Sequence, residues 1–188
     1  MGMDLCAVSE FVPPDNIHSP ARKEDRLVKE MQVIGITIDP VTQSPIVILR
    51  DKDSKNTLPI WIGILEANAI AAGLEQLQLP RPMTHDLFKS LLDQIGVKLL
   101  SVEVTDIREN TYYAALHMEV GDRSVIIDSR PSDAIAIAIR MKVPIMVRDS
   151  VIEKALRVES GTSSGEEKDK WTELLEKMDP EDFSKYKM

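Results

Sequence analysis

Residues 125–139 read Val-Ile-Ile-Asp-Ser-Arg-Pro-Ser-Asp-Ala-Ile-Ala-Ile-Ala-Ile, and this stretch decides the fold. An apolar run is followed by six residues that hold two carboxylates, a guanidinium and hydroxyl groups, and then by alternating Ala and Ile at 134–139. Strict alternation is also a strand pattern, but Pro131 suits the first turn of a helix, Asp133 suits its positive end, and alanine is a poor strand former. The stretch therefore predicts a strand that leads directly into a helix, with polar side chains at the junction.

The order of elements in this stretch has a counterpart 67 residues earlier in the chain. In each half, three strand patterns are separated by polar turns and lead into a helix rich in Ala and Ile. The predicted strands are 31–38, 45–49 and 58–62 in the first half, and 98–107, 111–120 and 123–129 in the second. The shift places Glu66 on Asp133, at equivalent helix starts. We predict an α+β fold of mixed or antiparallel sheets with packed helices, built by internal duplication, whose halves pack about a pseudo-twofold axis.

The remaining helices are predicted from their ends. The first helical pattern opens at Gly63, runs to about Leu79, and is small and apolar nearly all round, which predicts a buried helix. After a segment broken by two prolines, Thr84 is predicted to be the N-cap of a second helix, which Gly96 ends. A short strand at 144–147 and a helical turn or two at 149–156 complete the predicted domain.

Length and composition favour one domain with appendages. The chain has 188 residues and is 43% hydrophobic, which is enough to bury a core. We divide it into an irregular leader at 1–30, a domain at 31–155, and a linker with a short C-terminal helix at 156–188. The net charge of -8 counts against a large basic surface of the kind that binds nucleic acid.

The compartment is expected to be the cytoplasm. Cys6 is the only cysteine, so an internal disulfide is impossible, which fits a reducing environment. The N-terminal residues lack the basic start and apolar run of a signal peptide. No apolar stretch approaches the ~20 residues of a membrane-spanning helix, so no membrane association is expected.

Three carboxylates, those of Glu66, Asp128 and Asp133, are candidates for the acidic part of a site. Divalent ions such as Mg²⁺ and Mn²⁺ bind carboxylate oxygens, and such ions assist phosphodiester cleavage. Each carboxylate also has a structural explanation. An acid in the first turn of a helix is stabilised by the helix dipole, and Asp128 suits a cap or an ion pair with Arg130. Both explanations stay open at this point.

The other polar candidates are a histidine–aspartate pair and two arginines. His85 beside Asp86 suits a general base or a metal ligand, or else a solvated histidine beside an acid that complements the dipole of its helix. Arg81 and Arg130 each precede a proline. An arginine on a stiff backbone suits bidentate binding of phosphate, and it equally suits a structural ion pair with a nearby acid.

Four motifs, in this order along the chain, carry a resemblance to a known family. They are Leu58-Pro59-Ile60-Trp61-Ile62-Gly63 with Glu66-Ala67, Pro80-Arg81-Pro82 with Thr84-His85-Asp86-Leu87, Asn110-Thr111-Tyr112-Tyr113-Ala114, and Asp128-Ser129-Arg130-Pro131-Ser132-Asp133-Ala134. With them the chain resembles the bifunctional nuclease (DNase/RNase) domain family over about residues 31–155.

The resemblance implies an α+β domain that self-associates, with a dimer as the favoured form, and that degrades both DNA and RNA. It carries the polar motif positions over as candidates for catalysis and substrate binding. These are Glu66, Arg81, His85, Asp86, Asp128, Arg130 and Asp133.

Two hypotheses of different classes follow. In the first, Glu66, Asp128 and Asp133 bind Mg²⁺ or Mn²⁺, and Arg81 and Arg130 hold the phosphate. His85, oriented by Asp86, activates water or protonates the leaving group. The protein is then a nuclease of low sequence specificity. In the second, the same polar residues form a structural ion-pair network inside a non-catalytic oligomeric module that binds a partner or small ligand. The two hypotheses differ in whether the polar residues converge on a cleft or only on one another.

Overall fold

The structure of the protein is a computed structural model that describes residues 27–162, with side chains through residue 156. Within this range the chain forms a seven-stranded mixed sheet and four helices, which confirms the α+β fold class. The elements are β1 (Val28–Ile38), β2 (Pro45–Asp51), β3 (Thr57–Trp61), α1 (Ile64–Leu74), α2 (Thr84–Ile95), β4 (Val97–Arg108), β5 (Thr111–Val120), β6 (Arg123–Ser129), α3 (Pro131–Met141), β7 (Ile145–Arg148) and α4 (Asp149–Thr162).

The sheet consists of two antiparallel meanders joined by a short strand. Its order is β3-β2-β1-β7-β4-β5-β6, so each meander occupies one half. The joining strand β7 pairs antiparallel with Val28–Met31 of β1 and parallel with Val102–Val104 of β4. The helix after each meander starts at Ile64 and at Pro131, and these residues are 67 positions apart. This order has the symmetry that the predicted duplication requires, but shared topology does not establish a repeat, and the duplication stays a prediction.

The core joins residues of the sheet to residues of all four helices. In α3 the residues from Ala134 to Ala138 are all buried, and Ile135 is fully enclosed. Alternating Ala and Ile suits this position because the alanines let neighbouring elements approach closely, while the isoleucines fill the space between them. The two ends of the sheet also approach each other, since the hydroxyl of Tyr112 on β5 donates to the carbonyl of Pro59 on β3 over 3.3 Å.

Helix α1 departs from the prediction in two ways. It ends at Leu74 rather than near Leu79, because the chain turns into the left-handed region at Gln76, where φ is 52°. It is also not buried all round, because its first turn leaves Ile64 and Leu65 68% and 80% exposed. An apolar pattern on every side does not say which side meets the core. Here one side of the helix faces solvent.

The ends of α2 and α4 also differ from the prediction. Met83, not Thr84, is the N-cap of α2, and Asp86 accepts the backbone N–H of Met83 over 3.0 Å. The carboxylate of Asp86, in the first turn, thus satisfies the backbone N–H of the residue that caps the helix. Gly96 ends α2 in the left-handed conformation, as predicted. Helix α4 continues through Thr162, past residue 156. The rest of the predicted C-terminal segment, 163–188, and most of the predicted leader lie outside the described residues.

No helix within residues 27–162 is both long and apolar enough to cross a membrane.

Truncation of a buried side chain in α3 tests the assignment of the core. We expect Ile135→Ala to lower the free energy of unfolding by about 2–5 kcal/mol, because it leaves a cavity that the surrounding elements cannot fill. Urea denaturation followed by circular dichroism measures this change. The matched control is Ile126→Ala on β6, where the side chain is 64% exposed and the expected change is within about 0.5 kcal/mol. Equal losses for the two variants would contradict the assignment.

Candidate active site at three helix starts

Three helix N-termini meet at one place on the surface. Arg130 is the N-cap of α3 and Asp133 lies in its first turn, Glu66 lies in the first turn of α1, and His85 lies in the first turn of α2. The start of a helix carries unpaired N–H groups and a partial positive charge. We call these four residues the helix-start cluster.

The guanidinium of Arg130 joins two carboxylates of the cluster. Its Nε donates to Asp133 Oδ2 over 2.7 Å, and its Nη2 donates to Asp133 Oδ1 over 3.1 Å. On its other side Nη1 donates to Glu66 Oε1 over 2.8 Å. The pair with Asp133 is bidentate, the strongest geometry for an arginine and a carboxylate. The side chain of Arg130 still exposes 65% of its surface, so its remaining N–H donors face solvent.

Asp133 also contacts a histidine from another helix. The distance from His85 Nε2 to Asp133 Oδ1 is 3.3 Å, and the His85 side chain is only 15% exposed. A carboxylate that binds one ring nitrogen of a histidine fixes the orientation of the ring and leaves the other nitrogen for proton transfer. Asp133 therefore links an imidazole to an exposed guanidinium.

The ionisation of the cluster follows from these contacts. Burial of Asp133 disfavours its charged form, but hydrogen bonds from Arg130 and His85 outweigh burial and hold the pKa of Asp133 below its usual value. The hydrogen bonds and charge of Asp133, together with Glu66, raise the pKa of Arg130. Asp133 is therefore an anion at neutral pH and suits the role of an orienting group.

Asp86 accepts a hydrogen bond from Arg140 and does not orient His85, its neighbour in the sequence. Its Oδ1 accepts Arg140 Nε over 2.5 Å, and the side chain of Arg140 is 7% exposed. Burial opposes ionisation of Asp86, but the bonds from Arg140 and from the Met83 N–H outweigh it, so the pKa of Asp86 lies below its usual value. Arg140 Nη1 also donates to the carbonyl oxygen of Ala69 in α1 over 2.9 Å. Asp86 thus anchors the start of α2, while Asp133 contacts His85.

Two glycines leave room for these charged groups. A Cβ at Gly63 would overlap the carboxylate of Glu66, although its backbone is in an ordinary extended conformation. A Cβ at Gly73 would lie 2.9 Å from Nη1 of Arg140. A methyl group at either position would require the charged end of the neighbouring side chain to shift, so these glycines provide space and not backbone freedom.

Besides Asp86, two further predicted residues lie outside the cluster. Asp128 is exposed on β6 and pairs with Ala115, on the face of the sheet opposite to the Leu116 core. Arg81 is exposed in the segment before α2. Within the described part of the chain neither side chain forms a hydrogen bond or ion pair. The structure brings together Glu66, His85, Arg130 and Asp133, and it places Asp86 behind them.

The described residues do not fit the predicted metal set. Among residues 27–156, no three His, Cys, Asp or Glu side chains are grouped so as to hold a metal ion. The guanidinium of Arg130 lies between Glu66 and Asp133, where a cation shared by these carboxylates would lie, and Asp128 faces elsewhere. The single positive charge of the guanidinium already offsets part of the negative charge of the two carboxylates.

Sequence reasoning missed Gly63, Gly73 and Arg140 as parts of this arrangement. Arg140 had a visible signal, because it is the one charged residue beyond the first turn of α3, where its neighbours are otherwise apolar. A charge there needs a partner once the helix is buried. The two glycines had no such signal, since the space that they leave depends on where distant side chains lie.

A mixed sheet covered by helices, with a histidine, an arginine and two carboxylates at the helix starts, defines an α+β domain with a polar surface site. The bifunctional nuclease domain family matches residues 47–159, and the chain belongs to this family. An uncharacterized protein of Mycobacterium tuberculosis is 37% identical over 162 residues, which cover 82% of this chain and 97% of that protein.

Plant relatives carry the family name. A protein named bifunctional nuclease 2 from Oryza sativa subsp. japonica is 33% identical over 121 residues, covering 62% of this chain and 37% of that protein. A protein of the same name from Arabidopsis thaliana is 36% identical over 107 residues, covering 55% of this chain and 32% of that protein. The similarity thus spans about a third of each plant protein.

Substitution of Gly63 tests the close packing against Glu66. We expect Gly63→Ala to displace the Glu66 carboxylate from Arg130 and to lower the free energy of unfolding by about 1 kcal/mol, the typical worth of a hydrogen bond. The control is the same substitution in a Glu66→Ala background. There the added methyl group meets no carboxylate, and the smaller entropy of the unfolded chain makes the change neutral or slightly stabilising. Equal effects in both backgrounds, measured by urea denaturation, would refute the packing argument.

The lowered pKa of Asp133 predicts how stability depends on pH. A group whose pKa is lower in the folded state stabilises the protein above its unfolded pKa of 3.8, and this contribution is lost as pH falls through the folded pKa. We expect the difference in unfolding free energy between wild type and Asp133→Asn to shrink as pH falls below about pH 4. Denaturation at several pH values measures it, and a difference that grows toward acid pH would contradict the assignment.

Proposed function

We propose that this protein is a nuclease that hydrolyses phosphodiester bonds of RNA and DNA at the helix-start cluster. One observation carries the proposal: Asp133 links a shielded imidazole, that of His85, to an exposed guanidinium, that of Arg130, where three helices begin. The names of the plant relatives support the same activity.

The proposed chemistry assigns each residue of the cluster a role. The solvent-facing N–H groups of Arg130 bind a phosphate and stabilise the negative charge that develops on it during cleavage. The helix starts add partial positive charge and unpaired N–H groups. His85 either accepts a proton from the attacking oxygen or donates one to the leaving oxygen. It does so through Nδ1, because its Nε2 contacts Asp133. Glu66 and Asp133 hold the guanidinium in place.

Substrate binding in this proposal relies on the phosphate backbone. Arg81, exposed shortly before α2, contacts a neighbouring phosphate, while Asp128 on the opposite face has no role. Contacts to phosphates carry no direct sequence information, so cleavage is expected at many sequences. Because binding relies on a few contacts between arginine side chains and phosphates, activity should fall as added salt screens those contacts. The protein is further proposed to act as a homo-oligomer in the cytoplasm.

A second candidate function has its own support. Arg130 is held by two carboxylates, and the buried Arg140 binds Asp86, so these ion pairs tie α1, α2 and α3 together. In a non-catalytic binding module the same contacts serve stability alone, since breaking a buried pair costs about 3–5 kcal/mol. The two functions differ in the role of His85, which the ion pairs do not require.

The experiment compares two histidine substitutions. Fluorescent single-stranded RNA and DNA are incubated with wild type, His85→Asn and His117→Asn, each with Mg²⁺, Mn²⁺ or EDTA. His117 is the matched control, because it is a partly exposed histidine on β5, away from the cluster. We expect His85→Asn to lose activity by at least 100-fold, the lower range for general acid–base catalysis, while His117→Asn retains it.

The other outcomes have defined meanings. Equal cleavage by all three proteins would assign the activity to a contaminant or another site and would favour the binding module. Dependence on Mg²⁺ or Mn²⁺ is read directly from the EDTA samples. Thermal melting confirms that each variant is folded, so that loss of activity is not loss of structure.

A further inference from the structure

The helix-start cluster holds a ring nitrogen that can accept a proton. Nε2 of His85 contacts Asp133 Oδ1 over 3.3 Å, while Nδ1 of the same ring forms no hydrogen bond within the described residues. In that part of the chain, the buried side-chain nitrogen and oxygen atoms without a partner are His117 Nε2 and Asp149 Oδ1. Nδ1 of His85 is therefore both unpaired and open to solvent, although the side chain as a whole is only 15% exposed.

Asp133 decides which nitrogen of His85 carries the hydrogen. Burial disfavours the ionised form of Asp133, but hydrogen bonds from Arg130 and His85 outweigh burial and keep its pKa below the usual value. Asp133 is thus a carboxylate at neutral pH. Because a carboxylate only accepts hydrogen bonds, the nitrogen that faces it, Nε2, is the one that donates. A neutral His85 then presents the lone pair of Nδ1, which makes this atom a general base.

This base lies beside the group that is available to a phosphate. Nη2 of Arg130 donates to Asp133 Oδ1 over 3.1 Å, and His85 Nε2 contacts the same oxygen atom over 3.3 Å. One carboxylate oxygen thus separates the guanidinium from the imidazole. The side chain of Arg130 is 65% exposed and keeps N–H groups that can bind a phosphate. A nucleotide whose phosphate binds Arg130 therefore has its sugar beside His85.

The start of α3 supplies two further donors at this place. Pro131 has no N–H, and the N–H of Ala134 donates to the carbonyl oxygen of Arg130 over 3.0 Å. The N–H groups of Ser132 and Asp133 have no partner in the helix, as is general for a first turn. Together with the guanidinium, they can stabilise the negative charge that the oxygens of a phosphate gain during reaction.

The same cluster is poorly suited to activating a water molecule. Metal-assisted nucleases use a bound cation to generate hydroxide, but the guanidinium of Arg130 takes the place between Glu66 and Asp133. Both oxygens of Asp133 accept hydrogen bonds from Arg130. Glu66 binds Arg130 through Oε1, and its Oε2 lies against Gly63. Carboxylates are also weaker bases than a neutral imidazole. The disagreement with a metal site therefore favours a substrate that brings its own nucleophile.

We propose that this site cleaves RNA without a metal ion, with the 2′-hydroxyl of the ribose as the nucleophile. This hydroxyl is attached to the carbon next to the one that carries the scissile phosphate, so it is already positioned for attack, whereas a water molecule must be bound and oriented. The assignment, which rests on the proposed nuclease function, makes RNA the preferred substrate class. DNA lacks the hydroxyl, so its cleavage depends on a water molecule and is slower.

The reaction is a transfer of the phosphoryl group within the RNA strand. The 2′-hydroxyl loses its proton to Nδ1 of His85. Its oxygen forms a bond to phosphorus as the bond from phosphorus to the 5′-oxygen of the next nucleotide breaks. The leaving 5′-oxygen takes a proton from water, and His85 returns its own proton to the solvent. The products are a strand that ends in a 2′,3′-cyclic phosphate and a strand that begins with a 5′-hydroxyl.

The test compares three single strands of the same sequence. They are RNA, RNA with a 2′-O-methyl group on every ribose, and DNA, so that only the first offers a nucleophilic hydroxyl. The full chain is incubated with each strand in EDTA, Mg²⁺ or Mn²⁺, and mass spectrometry identifies the first fragments. In EDTA we expect RNA to be cleaved at least about 100-fold faster than the other two strands. The fragments should end in a 2′,3′-cyclic phosphate, which is one water lighter than a linear phosphate.

Two histidine variants control for a contaminating ribonuclease, which could give the same fragments. We expect His85→Asn, which lacks the base, to cleave RNA at least about 100-fold more slowly than wild type. His117→Asn, purified in the same way, should retain cleavage, and thermal melting checks that both variants are folded. Cleavage of RNA that is unchanged in a folded His85→Asn would overturn the proposal. The comparison of the three strands uses wild type and does not depend on how either variant folds.

The outcomes separate this reaction from the proposed nuclease function. Similar rates on all three strands, linear phosphate ends, or cleavage that requires Mg²⁺ or Mn²⁺ would leave the protein a nuclease but exclude attack by the 2′-hydroxyl without a metal ion. Cleavage of none of the strands under any of the three conditions would refute the nuclease function itself, and the proposed reaction with it.

Discussion

Helix α3 is connected to both α1 and α2 at each of its ends, by Arg130 together with Asp133 at its start and by Arg140 toward its end. At the start of α3, Arg130 binds Glu66 of α1, and Asp133 contacts His85 of α2. Toward its end, Arg140 binds the backbone of α1 and the carboxylate of Asp86 in α2. Between these ends the helix presents only Pro, Ser, Asp, Ala and Ile. The relative positions of the three helices, and so of the helix-start cluster, depend on this pair of connections.

The two arginines differ in how much solvent they meet. Arg140 is almost completely enclosed, so its charge requires the hydrogen bonds that it makes, and it acts as a structural tie. Arg130 is mostly exposed, so the N–H groups that its two carboxylate partners leave free can bind a phosphate. The same residue type thus serves packing at one end of the helix and is available for binding at the other. This difference in burial is the physical basis for placing the proposed chemistry at the start of α3.

Local sequence predicted the elements well where local rules decide them. Proline in the first turn and an acid at the helix start indicated that the alternating run 134–139 is helical, and the structure confirms it with α3 at Pro131–Met141. Gly96 ends α2, as predicted, because glycine adopts the left-handed conformation without a steric penalty. The predicted end of α1 was wrong because apolar residues continue past Leu74, while the backbone turns at Gln76. Hydrophobicity marks which residues avoid water, and it does not mark where a helix stops.

The sequence by itself determined the α+β class, the order of the elements and the set of polar residues from which a site is built. Only the tertiary structure decided that Glu66, His85, Arg130 and Asp133 meet, that Asp86 turns to Arg140, and that Asp128 faces the other side of the sheet. The reason is that periodicity and capping act over a few residues. The contacts of the cluster join residues 48 and 64 positions apart, and they depend on how α1, α2 and α3 pack. The exposed face of α1 follows from the same packing, because its sequence is apolar on all sides and only its neighbours decide which side remains open.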